Sequence, residues 1–101
     1  MKEIYVLVKF ELNKWVKIED WKKMSDEINV DMQGKDWLQF RDSAVDENGN
    51  IYCILKWDTL EQRNIFFENM QKEFKEKPEI MKEFAKLADM KTMKMDILKV
   101  V

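Results

Sequence analysis

The chain has 101 residues, 46% of them hydrophobic and 38% charged, with only two Gly and one Pro. That size and balance belong to one densely structured domain with short loops, and they exclude a disordered, collagen-like or two-domain chain. Eighteen basic residues stand against twenty acidic ones, net −2, with the signs mixed along the chain, which leaves no electrostatic footprint for DNA or RNA.

The opening MKEIYVLVKF carries an apolar run too short for a membrane span or a signal-peptide core, so the expected address is cytoplasmic, with no membrane partner. The lone Cys53 fits a reducing compartment. Residues 4 to 12, IYVLVKFEL, are β-branched and aromatic without a breaker and predict a strand. In IEDWKKMSDEI, residues 18 to 28, Ile18, Trp21, Met24 and Ile28 form one apolar stripe of a helix. Gly34 then punctuates the chain.

Residues 37 to 46 and 51 to 58 read as two strands joined by ENGN. Asn48-Gly49 is a hairpin signal, because a type I′ turn needs positive φ at both central residues. That turn predicts Asp46 opposite Ile51, Ala44 opposite Cys53, Asp42 opposite Leu55 and Phe40 opposite Trp57. It also predicts Arg41 opposite Lys56, Ser43 opposite Ile54 and Val45 opposite Tyr52.

Thr59-Leu60-Glu61-Gln62 has the spacing of a capping box, and a helix runs from there to about Lys77. Leu60, Phe66, Phe67, Met70 and Phe74 share one arc of that helix, with Arg63 in its middle and Ile65 outside it. Pro78 breaks or kinks the helix and suits a restart, with Ile80, Phe84, Leu87 and Ala88 striping the second piece. TMKMDILKVV, residues 92 to 101, closes the chain as a last strand. Its alternation slips between Ile97 and Leu98, so both faces of its end are partly apolar or a bulge is present.

The order β-α-β-β-α-β with two right-handed crossovers predicts an α+β, ferredoxin-like sandwich. Its four-stranded antiparallel sheet has order 4-1-3-2 and both helices on one face. An antiparallel sheet wetted on its other face alternates cleanly, and these central strands do not. Tyr5 and Leu7 back the apolar row of the first strand, and Tyr52 and Ile54 back that of the third. The helix-free face therefore needs a cover, and the expected one is a second copy packing sheet against sheet, with Trp15 and Trp37 near that interface.

The strand-ending stretch ILKWDTLEQRNIFF, leading into a kinked helix, resembles the dimeric α+β barrel superfamily, and most closely its antibiotic-biosynthesis-monooxygenase-like branch. The resemblance spans nearly the whole chain and implies a homodimer that places ligands between sheet and helices. It does not imply one activity, because the superfamily holds oxygenases, isomerases and haem enzymes. Haem-degrading members use an Asn on the first strand, a Trp on the second helix and a His beyond it. Here Asn13 comes only at the strand's end, Ile65 and Phe66 stand where the aromatic would, and there is no histidine in the chain.

That absence also removes the commonest metal ligand and the usual general base near neutral pH. CxxC, Walker and GxGxxG motifs are missing too. No cofactor and no metal are expected, and no standard catalytic set is present.

Phe66, Phe67, Met70, Phe74 and Phe84 read most plainly as helix-to-sheet core. The competing reading makes Trp57, Phe66, Phe67, Met70 and Met24 walls of an adaptable apolar cavity, and the eight methionines favour it. Arg63 calls for an anionic or carbonyl partner, either Asp42 or Asp58 of the protein itself or the head of a ligand, or else it snorkels to the rim. Tyr52, Tyr5, Arg41 and Lys56 are further candidates for that head, and Cys53 reads as a small buried apolar residue. The expected function is binding of an elongated lipophilic molecule, fatty-acid-like or polyketide-like. The alternatives are a cofactor-independent monooxygenase of aromatic or polycyclic substrates, and a structural dimer with a filled core. Oxygen uptake with electron-rich phenols separates the monooxygenase from the other two.

Overall fold

Ile4–Leu12 form β1 in the computed structural model, which describes residues 3–32 and 38–101. Gly34 and Trp37 lie outside the described residues. The other elements are α1 (Ile18–Met32), β2 (Leu38–Val45), β3 (Asn50–Trp57), α2 (Leu60–Glu76), α3 (Pro78–Leu87) and β4 (Ala88–Lys99). The sheet is antiparallel with order β2-β3-β1-β4, which is the expected order read from the other edge and is compatible with a ferredoxin-like sandwich.

The period-two pattern of β1 and β3 decides where the core lies. Ile4, Val6 and Phe10 face the same side as Ile51, Cys53, Leu55 and Trp57, and all seven are buried. The three helices cover that side. Trp21 of α1 and Phe84 of α3 meet Phe10 with ring centroids 5.0 and 5.6 Å away, and Phe66 of α2 meets Trp57 at 5.3 Å. On the opposite side Tyr5, Leu7, Tyr52 and Ile54 are half-buried by their neighbours in the sheet alone, and Phe40 and Leu98 are exposed. No described helix lies over them. No helix among the described residues is long and apolar enough to cross a membrane.

The β2–β3 hairpin corrects the expected register by one residue. Val45 pairs with Ile51, Ser43 with Cys53, Arg41 with Leu55 and Phe40 with Lys56. The cause is a three-residue loop, Glu47 to Gly49, where a two-residue loop was expected. Gly49 N–H closes a turn onto the Asp46 carbonyl at 3.1 Å, and Asp46 N–H bonds the Asn50 carbonyl at 3.0 Å. Only Gly49 needs positive φ here, at 84°, as in a turn followed by a one-residue bulge.

The Asp46 carboxylate selects this loop. It accepts the backbone N–H groups of Asn48 and Asn50, the Asn50 amide at 2.9 Å and the Tyr52 hydroxyl at 3.1 Å. The Asn50 amide first, then the backbone and tyrosine donors, hold its pKa below the usual carboxylate value. A depressed folded-state pKa contributes stability that is present above the unfolded value, about 3.9, and is lost as pH falls through the folded value. Asp46→Asn is therefore expected to lower the melting temperature by a few degrees at neutral pH. The gap should close in acid, and equal gaps at both pH values would refute this role for the charge.

Of the break or kink expected at Pro78 the structure has the break: two helices meet at Lys77 (φ −131°, ψ 73°), with Pro78 opening α3. β4 begins at Ala88, directly after α3, where it was expected at residue 92. Its bulge lies between Asp89 and Lys94, where Met90 to Met93 stand against Phe10 alone, and Ile97 and Leu98 keep regular pairing with Val6 and Tyr5. The Thr92 hydroxyl anchors the bulge by accepting Glu11 N–H at 2.9 Å and donating to the Asp89 carbonyl at 2.7 Å. Both faces at the end of β4 are apolar as a result.

Asn13 ties the two halves together. Its backbone N–H bonds the Leu87 carbonyl at 2.8 Å, and its amide donates to the Ala85 and Lys86 carbonyls at 3.0 and 2.9 Å. These are carbonyls of the last turn of α3, which have no partner inside the helix.

Candidate functional site

The junction of β3 and α2 gathers most of the expected site. Trp57 ends the helix-facing row of β3 and is only 3% exposed. Thr59 accepts Gln62 N–H at 3.2 Å and so starts α2 at the next residue, leaving only Asp58 and Thr59 between strand and helix. Gln62 and Phe66 are then one turn apart on the helix face turned to β3, and Phe66 meets the indole.

Arg63 and Phe67, one residue further on, form a second pair turned toward β4. The guanidinium lies 4.6 Å from the Phe67 ring centre, its Nη2 is 3.0 Å from the Met95 sulfur, and Nη1 donates to the Asn64 side chain at 3.1 Å. Burial lowers its pKa from the usual guanidinium value. Neither expected carboxylate reaches it. Asp58 takes the amide of Gln39, and Asp42 sits on the helix-free face. Among the described residues Arg63 has no acidic partner within ion-pair distance.

α2 lies lightly on the sheet. It has no fully buried residue, and Phe66, Phe67, Met70 and Phe74 are all half-buried. Beside it on the same face of β4, Met95 and Ile97 are each 44% exposed. At its β3 side two polar atoms are buried without a protein partner among the described residues, the indole N–H of Trp57 and the amide oxygen of Gln62. Sequence reasoning noted Gln62 only as a cap, and its spacing of one turn from Phe66 was the available signal.

The other expected residues are dispersed. Met24 packs from α1 against the core. Tyr52 lies on the helix-free face with Lys9 over its ring at 5.6 Å, because an odd separation from Trp57 on one strand puts the two on opposite sides. Tyr5 and Lys56 share that far face, where Lys56 pairs with Glu3 at 3.3 Å.

Arg41, moved to the helix side by the hairpin register, bonds Ser25 Oγ at 3.0 Å, Asn29 Oδ1 at 2.7 Å and the Cys53 sulfur at 3.6 Å. Trp21 completes this seam by donating to the Ser43 hydroxyl at 2.9 Å. Burial pushes the Cys53 thiol pKa up despite Arg41, which describes an inert thiol and no nucleophile.

Two open depressions mark the surface. One of about 490 Å³ runs between Leu12–Val16 and the Asp46–Gly49 turn, and one of about 370 Å³ is bordered by Met32, Leu38, Phe40 and Arg41. Neither is lined by Trp57, Phe66, Phe67, Met70 or Arg63. Among the described residues no three Cys, Asp or Glu side chains gather closely enough to hold a metal ion. No family model and no curated protein matches this chain.

Proposed function

We propose that the chain is a homodimeric binding domain of the antibiotic-biosynthesis-monooxygenase-like kind, which takes an elongated lipophilic acid between α2 and the β3–β1–β4 part of the sheet. The observation that carries this reading is Arg63. A half-buried guanidinium loses hydration, and among the described residues it receives an aromatic ring, a thioether and a neutral amide in return. A carboxylate supplies the missing charge-assisted, two-pronged partner. The half-buried Phe67 and Met70, with Met95 and Ile97 next to them, offer the apolar body of such a molecule an adaptable wall.

The dimeric part of the proposal rests on the uncovered apolar middle of the helix-free face. A second copy is the occupant that covers it.

The experiment is thermal denaturation with decanoic acid and with its methyl ester. A ligand that binds only the folded state raises the melting temperature as its concentration rises. The acid is expected to stabilise the protein more than the ester does. Arg63→Met should fold normally and reduce the acid's effect to that of the ester. The binding reading is wrong if saturated acids of every chain length leave the wild-type melting curve unmoved.

A further inference from the structure

We infer that the same site reads a hydroxyl group on its ligand, through the indole N–H of Trp57 and the amide oxygen of Gln62. This rests on the proposal that a lipophilic molecule enters beside α2, and it adds the second polar feature that such a molecule must carry.

Buried polar atoms are almost always paired, because one left alone loses its water without a replacement. Among the described residues two are left alone at one seam, Trp57 on β3 and Gln62 one turn before the Phe66 that touches Trp57. They are of opposite kind. An indole N–H can only donate, and an amide oxygen can only accept. A carboxylate satisfies the indole but repels the amide oxygen, and an ammonium does the reverse. A hydroxyl accepts from Trp57 and donates to Gln62 at once.

Arg63 faces β4 while this pair faces β3, and β1 lies between those two strands. Trp57 and Met95 stand two strands apart and four residues apart along the strands, so the two polar points are well separated. The ligand class is therefore a lipophilic acid with a hydroxyl well along its body, its acid end at Arg63.

The test uses ω-hydroxydecanoic acid, decanoic acid and ω-methoxydecanoic acid as probes of the ¹⁵N-labelled wild-type chain. The indole resonance of Trp57 is assigned with Trp57→Phe. The hydroxy acid is expected to bind about tenfold tighter than the other two and to be the probe that displaces the Trp57 indole signal. Gln62→Leu should erase that preference by bringing the affinity for the hydroxy acid down to that for the methoxy acid. Equal binding of all three acids overturns this inference while sparing the binding proposal, as does a long-lived water at the Trp57 indole in the loaded protein. Failure of every acid to bind overturns both.

Discussion

Asp42→Lys is expected to weaken self-association of the chain by roughly 100-fold, and Lys9→Asp in the same chain to restore most of it. The expectation comes from the layout of the helix-free face, taken with the proposed second copy. Three rows cross the four strands in the order β2, β3, β1, β4. They read Phe40, Lys56, Tyr5, Leu98, then Asp42, Ile54, Leu7, Asp96, then Ala44, Tyr52, Lys9, Lys94. The acids close the two sides of the middle row, and the lysines and tyrosines sit at its two ends along the strands.

With strands about 4.8 Å apart and like-facing residues about 6.8 Å apart, Asp42, Asp96, Lys56 and Lys9 are each about 7 Å from the midpoint of Ile54 and Leu7. The charge pattern is therefore nearly square. A two-fold axis along the strands would set Asp42 against Asp96, which is repulsive. An axis along the diagonal from Ala44 to Leu98 crosses the strands near a right angle, one of the two ways in which sheets pack. It lays Asp42 of one copy between the partner's Tyr52 and the partner's Lys9, and Asp96 between the partner's Tyr5 and the partner's Lys56. Phe40 then meets the partner's Lys94. The other diagonal would stack the two Lys94 side chains on each other.

Every such contact occurs twice in a two-fold dimer. A reversal costing somewhat over 1 kcal/mol per copy therefore gives about the stated factor. Sedimentation equilibrium of the wild type, both single variants and the double variant measures it. A wild-type chain that remains monomeric at micromolar concentration removes the dimer, and single variants that dimerise like the wild type remove this orientation.

Phe10→Ala should be the most damaging single truncation in the fold, at about 3–5 kcal/mol. Phe10 is 1% exposed and makes two edge-to-face contacts, with Trp21 and Phe84, which also meet each other at 5.8 Å. Its loss opens a cavity under α1 and α3 together, opposite the β4 bulge, where the backbone has no simple way to collapse. Phe67→Ala removes the same side chain from a half-buried position and should cost less than half as much. Urea unfolding of the two variants decides it, and equal midpoints would show that α2 is packed far more tightly than its exposure indicates.

Much of this architecture was legible because it follows local rules. The bounds of β1, the Thr59 cap, the restart at Pro78 and the strand order all come from periodicity, capping chemistry and crossover handedness. The hairpin register was not legible, since Asn48-Gly49 serves a two-residue and a three-residue loop equally well. The choice fell to the bonds of the Asp46 carboxylate, and it carried Arg41 and Ser43 to the helix side.

The start of β4 was hidden for a similar reason. Ala88 completes the apolar stripe of α3 and opens the strand at once, and helical periodicity claims such a residue first. For the candidate site, the place of Arg63 on the stripe of α2 could be read, and so could its want of a partner in its own helix. The strand period alone put Tyr52 on the face opposite Trp57, which separates the two as parts of one site. The unpaired atoms of Trp57 and Gln62 could not be foreseen, because satisfaction of a polar atom is a property of three-dimensional packing.

The clamp at Asn13 also bears on the order in which this chain can become native. The last turn of α3 is closed by a residue 72 or 73 positions earlier, so its carbonyls stay open until the far end of β1 has arrived. Local helix formation is fast, whereas bringing such distant segments together is slow. The end of α3, the end of β1 and the first residues of β4 should therefore gain and lose protection together, as one late-forming unit. A protein of this size has little stability to spare, and this unit is where it would first be lost.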